Sequence, residues 1–158
     1  MSSIVPLTRR SAILVVAGTA LFATTRGRAA GEQIITVHKD PSCGCCSGWV
    51  KHLQQAGFAV ATIETADLEP VKTRLGVPAD LAACHTAQIG GYVIEGHVPA
   101  VALRRLLDDK PSAAGLAVPG MPIGAPGMEG GSPEPYEVVL FGAAGRLTYM
   151  RFVGNRAL

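Results

Sequence analysis

Three of the chain's four cysteines fall within four residues, in Pro41-Ser42-Cys43-Gly44-Cys45-Cys46-Ser47-Gly48-Trp49. Thiols crowded at a strand-to-helix turn suit two chemistries: holding a soft metal ion, or exchanging disulfides. Cys43 and Cys46 have the i, i+3 spacing common to both. A helix starting near Cys46 would lower their pKa values through its free N–H groups and dipole, favouring the thiolate that both chemistries use.

Three thiolates exceed what dithiol exchange requires. They also fit poorly around one tetrahedral ion, because adjacent Cys45 and Cys46 do not easily reach the same metal alongside Cys43. Sulfurs bridging several Cu(I) ions relieve that problem, since soft thiolate and thioether ligands select Cu(I). Zinc is the weaker expectation, for want of a second C-x-x-C or a His pair, and iron–sulfur spacings are missing. Cys84, the fourth sulfur, reads as the ligand that closes the site, and His85 as a further ligand or a donor behind it. Met121 and Met128 lie seven residues apart in a Gly/Pro-rich stretch, where they would serve as thioether ligands or as a lid. His38, at the end of the first strand, reads as an ordinary loop residue or as a donor behind the metal ligands, His52 and His97 as ordinary helix and loop residues, and Trp49 as a core residue shielding the sulfurs.

A purely structural disulfide pattern is disfavoured. Bridges Cys45–Cys46 and Cys43–Cys45 would be strained; Cys43–Cys46 is feasible, as is any of the three with Cys84. The Cys43/Cys46 pair keeps a thiol–disulfide oxidoreductase open as the alternative, with Cys45 or Cys84 as resolving thiol.

The elements that must hold these residues follow from pattern. Gln33–Val37 reads as a buried strand, Trp49–Ala56 as a helix stopped at Gly57, and Phe58–Ile63 as a second strand. Strand, helix, strand with short connections predicts a parallel pair with a right-handed crossover, hence an α/β fold. Asp67 would cap a helix carrying Leu68, Val71 and Leu75, ended by Gly76 and Pro78. Residues 80–86 are too polar and irregular to assign. Ile89–Glu95 reads as a third strand, and Pro99–Leu107 as a helix buried through Ala102, Leu103, Leu106 and Leu107. Twelve of residues 108–135 are Gly or Pro, which predicts a long loop, functional or disordered. Tyr136–Phe141 and Leu147–Val153 predict a C-terminal hairpin, at either edge of the sheet.

The first thirty residues stand apart. Arg9-Arg10, the apolar run Ala12–Ala23 and the small residues Ala29-Ala30-Gly31 form a signal-peptide pattern, with cleavage near Ala29 or Ala30. The apolar run is short of the roughly 20 residues of a membrane span. The paired arginines suggest twin-arginine export, with ordinary secretion as the alternative. Removing 1–30 removes four arginines and no acid, so ten basic residues face twelve acidic ones and the net charge becomes −2. No basic patch then speaks for nucleic acid. Residues 31–158 are expected to be one domain in the periplasm, off the membrane.

Cys43-Gly44-Cys45-Cys46 followed by Trp49, Cys84-His85-Thr86 before Gly90-Gly91-Tyr92-Val93-Ile94-Glu95-Gly96-His97-Val98-Pro99, and Gly120-Met121-Pro122 with Pro126-Gly127-Met128 together resemble the CopG-like family. This is a domain-of-unknown-function family of exported bacterial proteins linked to copper resistance, and the resemblance spans about residues 33–153. It implies a thioredoxin-like fold in which Cys84 lies close to the cysteine turn. It also implies a multinuclear copper site on Cys43, Cys45, Cys46 and Cys84, and a role in copper handling or Cu(I)/Cu(II) interconversion. A metal-binding protein is expected before an enzyme; as an enzyme it would be a copper or thiol oxidoreductase. Other periplasmic copper-handling proteins are the expected partners, with the Gly/Pro loop as a docking surface in that reading.

Overall fold

The computed structural model describes residues 33–158; the leader and its cleavage site lie outside the described residues. Strand β1 (Ile35–Lys39) buries Ile35 and Val37. It feeds helix α1 (Gly44–Gln55), whose Cys46, Trp49, Val50 and Leu53 recur at helical spacing and turn inward. The helix begins five residues before Trp49, because the cysteine turn itself forms its first turn. It stops at Gly57, where φ is +86°. Strand β2 (Val60–Glu64) returns parallel to β1, as the strand–helix–strand pattern predicts.

Helix α2 (Glu69–Leu75) ends at Gly76 in the left-handed region. Asp67 accepts the Glu69 N–H, but Leu68 holds the cap position. A single turn of 3-10 helix, Ala79–Leu81, follows. The segment read as one strand across Ile89–Glu95 is instead two. Strand β3 (His85–Ile89) and strand β4 (Tyr92–Glu95) form a hairpin around Gly90-Gly91. Both glycines have positive φ, +57° and +86°, as a tight two-residue hairpin turn demands. Helix α3 (Ala100–Asp109) follows Pro99, and His52 on α1 supplies its cap: Nε2 accepts the Ala100 N–H at 3.0 Å.

The Gly/Pro-rich stretch is not all loop. Strand β5 (Gly115–Ala117) lies parallel to β4, and any Cβ at Gly115 would strike the Val93 backbone. The predicted hairpin is present as β6 (Pro135–Gly142) and β7 (Gly145–Val153), followed by the short β8 (Arg156–Ala157). All eight strands join one sheet in the order β2-β1-β3-β4-β5-β6-β7-β8, so the hairpin extends the β4 side through β5.

Strand alternation sorts the core into two layers. Ile94 and Leu116 face the main core with Trp49, Leu53, Leu103 and Leu106, which places α1 and α3 on one face of the sheet. Val93 and Ala117 face a smaller cluster with Leu75, Val77 and Leu81, on the α2 side. Among the described residues no helix is long and apolar enough to cross a membrane.

Candidate metal centre

The cysteine turn follows β1 directly, and Cys43 takes the cap position of α1. Its Sγ accepts the Cys46 N–H at 3.3 Å, where Ser or Asp more often stands. Antiparallel pairing then delivers the fourth sulfur. Lys39, at the end of β1, pairs with His85, at the start of β3. The chain leaving β1 and the chain entering β3 are therefore at the same end of the sheet, and Cys84 arrives beside the turn.

Cys45 Sγ lies 3.5 Å from Cys43 Sγ and 3.9 Å from Cys84 Sγ, and Cys46 Sγ lies 3.5 Å from the Cys84 carbonyl. All four sulfurs fall within 4.8 Å of one another. Cys43 and Cys46 are joined as a disulfide, leaving Cys45 and Cys84 as half-buried free thiols. The first turn of α1 is thus held in its two-electron-oxidised state.

The β3–β4 hairpin adds what sequence reading missed. Thr86 pairs with Glu95, and the Gly96 N–H donates to the His85 carbonyl, so His97 falls opposite Cys84. His97 Nε2 is 3.1 Å from Cys84 Sγ, and His85 Nδ1 is 3.4 Å from it. Both rings are fully buried; His85 tilts against Trp49 with centroids 4.3 Å apart, and His97 meets it edge-on at 4.9 Å. His97 Nδ1 lies 2.8 Å from the Pro126 carbonyl. A carbonyl only accepts, so Nδ1 carries the proton, and the neutral ring presents the Nε2 lone pair to Cys84.

Two solved structures of a copper resistance protein CopG resemble this chain. One form is 43% identical and covers 76% of this chain and 98% of that one; the other is 44% identical and covers 77% and 98%; both superpose with a TM-score of 0.71. The chain belongs to the CopG family. Residues 81–128, which include Cys84, His85, His97 and the methionine segment, also match a family described as a protein of unknown function, DUF411. No curated protein matches.

In this CopG-family chain burial disfavours charge at Cys84, His85 and His97. Burial raises the Cys84 thiol to about 12, with Cys45's charge and hydrogen bond adding to the effect. Burial also lowers His97, and lowers His85 strongly, with His97 and Lys72 contributing to His85. A metal ion binding Cys84 would have to displace its proton, whereas burial leaves the two imidazoles without one to displace. The donor set, sulfurs with two imidazoles, fits a soft or borderline ion.

A buried ion pair anchors the approach to Cys84. Glu95 accepts from Lys72 Nζ, from the Ala83 N–H at 2.7 Å and from Thr86 Oγ1 at 2.7 Å. The residue before Cys84 is thereby tied to β4. The Gly/Pro segment reaches the centre through backbone. Gly127 packs against the first turns of α1, and the Pro126 carbonyl meets His97. Met128 is half-buried against the main core, and Met121 is exposed. His38 lies beside Thr65 Oγ1 at 3.4 Å. Trp49 is fully buried, its Nε1–H donating to the Val98 carbonyl at 2.8 Å.

Proposed function

We propose that this chain is an exported copper-binding protein that holds Cu(I), as a multinuclear thiolate cluster, on Cys43, Cys45, Cys46 and Cys84. Its task in this reading is copper resistance or trafficking in the periplasm, with Cu(I)/Cu(II) interconversion as a further capability. One observation carries it: four sulfurs within 4.8 Å of one another at the start of a helix. Homology to proteins named for copper resistance supports the metal chosen, as does sulfur's preference for Cu(I).

The order β2-β1-β3-β4, with the cysteine turn ahead of α1, supports reading β1 through α3 as a thioredoxin-like unit. Strands β5–β8 are then an extension that carries the Gly/Pro segment. Loading requires the Cys43–Cys46 disulfide to accept two electrons and two protons from an external reductant. Each thiol that binds copper then gives up its proton, and shared sulfurs bridge neighbouring ions. Residues 1–30 act as the export signal in this account.

The test is to reduce the mature protein anaerobically, load it with Cu(I) against a competing chelator, and count ions. More than one copper per chain is expected, falling in Cys84→Ser. Fewer than one ion, or unchanged loading in that variant, overturns the reading.

The Cys43–Cys46 disulfide favours a second reading, a thiol–disulfide oxidoreductase. There the reduced Cys43 thiolate attacks a substrate disulfide and Cys46, its disulfide partner here, resolves the mixed disulfide in place of the Cys45 or Cys84 expected from sequence, moving two electrons to the substrate. Vigorous insulin reduction by metal-free protein would favour it over copper holding.

A further inference from the structure

The four-sulfur cradle does not account for the histidines. His85 and His97 are both fully buried, yet among the described residues neither belongs to an ion pair, and neither sits in apolar packing alone. His97 is oriented as metal-binding imidazoles are: the far nitrogen donates to a carbonyl, Pro126, and the near nitrogen turns its lone pair to a sulfur. His85 is stranger. Its Nδ1 faces the same sulfur at 3.4 Å, while Nε2 has no hydrogen-bond partner among the described residues. The ligand atoms of Cys84, His85 and His97 lie within 4.8 Å of one another. None of the three takes part in the Cys43–Cys46 disulfide.

We propose that Cys84, His85 and His97 form a second, mixed sulfur–nitrogen subsite that holds one borderline divalent cation, Cu(II) or Zn(II), while Cys43 and Cys46 are still disulfide-bonded. The inference shares with the function proposed above the assumption that Cys84 is a metal ligand. It differs in metal class and in redox state: one thiolate and two imidazoles suit a borderline divalent ion, whereas a cage of bridging thiolates suits Cu(I). Cys84 belongs to both sets, so an ion waiting at the histidines already touches the cradle that opens when the disulfide is reduced. The Gly/Pro segment gains a role, because its Pro126 carbonyl fixes the tautomer of His97.

The experiment uses the disulfide form, verified by mass and by two titratable thiols, Cys45 and Cys84. Co(II) is the probe, since it does not oxidise thiols and reports a bound thiolate through sulfur-to-cobalt charge-transfer absorption. One Co(II) per chain with that absorption is expected. His97→Ala should bind at least ~10-fold more weakly, the least that disturbing a metal-bound histidine costs. If the alanine variant fails to fold, His97→Asn keeps an amide donor for the Pro126 carbonyl and removes the nitrogen facing Cys84; the same loss is expected. No Co(II) on the disulfide form, or wild-type affinity in His97→Asn, overturns the subsite and leaves a thiol–imidazole hydrogen bond. Copper counting on reduced wild type runs alongside. Co(II) binding without Cu(I) loading would sink the four-sulfur function and spare the subsite; the reverse pattern would sink the subsite and spare the function.

Discussion

Cys84 Sγ and His97 Nε2 stand 3.1 Å apart because each lies six residues from the glycine pair that turns their hairpin. The pairing Ile89 with Tyr92, continued outward through Thr86 with Glu95, brings position 84 opposite position 97. The sulfur that the β1–β3 pairing delivers to the cysteine turn is thus also the sulfur that the β3–β4 pairing delivers to an imidazole.

The Lys72–Glu95 pair should prove expensive to break from one side. Lys72→Met leaves a fully buried carboxylate whose pKa burial already raises. Removing one partner of such a pair costs about 3–5 kcal/mol. Urea unfolding of the apoprotein should show a loss of that size, with much of it regained in Lys72→Met/Glu95→Gln. A single variant as stable as wild type would mean that the pair does not hold the Ala83–Cys84 approach in place.

Glycine 127 should tolerate no side chain. It sits at φ +86°, and an added Cβ would strike the Cys45 carbonyl and approach the Trp49 nitrogen to 2.6 Å. Gly127→Ala is expected to cost about 1–3 kcal/mol, as overpacking does. Gly120→Ala is the control: its φ is +72° but its surroundings are open, so it should cost only about 1 kcal/mol of backbone strain. Equal melting temperatures for the two variants would contradict the close approach of the segment to α1.

Copper uptake should depend on redox state. The disulfide form offers two free thiols and the reduced form four, all within 4.8 Å. Cu(I) stoichiometry measured against a chelator should rise when a thiol reductant opens Cys43–Cys46. The same count before and after reduction would argue that those two sulfurs are not ligands.

Stability should fall on mild acidification. His38, His52, His85 and His97 all have pKa values below the ordinary 6.5, with burial the largest cause for each. The unfolded chain therefore takes up protons near pH 6.5 that the folded chain refuses. The resulting stability is present above 6.5 and is lost as pH drops below it. Glu95, raised from 4.5, works in the opposite sense but is one group against four. The urea midpoint of the apoprotein should be lower at about pH 5.5 than at about pH 7.5. A flat midpoint across that interval would mean the histidines titrate in the folded state.

Where side-chain pattern and backbone agree, the fold was legible. Trp49, Val50 and Leu53 gave α1, β-branched runs gave β1 and β2, and alternation gave the β6–β7 hairpin. Strand β3 escaped because its polar residues are inside: Thr86 joins the Lys72–Glu95 network and His85 packs on Trp49, so polarity there signals neither turn nor solvent. Strand β5 escaped because Gly115-Leu116-Ala117 has little strand preference of its own; docking beside Val93–Glu95 makes it a strand. His97 was within reach. Gly90-Gly91 between two apolar runs is a hairpin signal, and counting outward from it pairs Cys84 with His97. The Cys43–Cys46 bond was foreseen as feasible, but spacing alone does not fix an oxidation state.

At one point two bare backbones set a distance by themselves. A Cβ on Gly48 would come within 2.9 Å of the Gly127 Cα, and one on Gly127 would strike the helix. Neither position has an atom to give up, so bulk gained at one is beyond the power of the other to offset. Residues 48 and 127, distant in the chain, behave as a single lock that opens with any addition to either side.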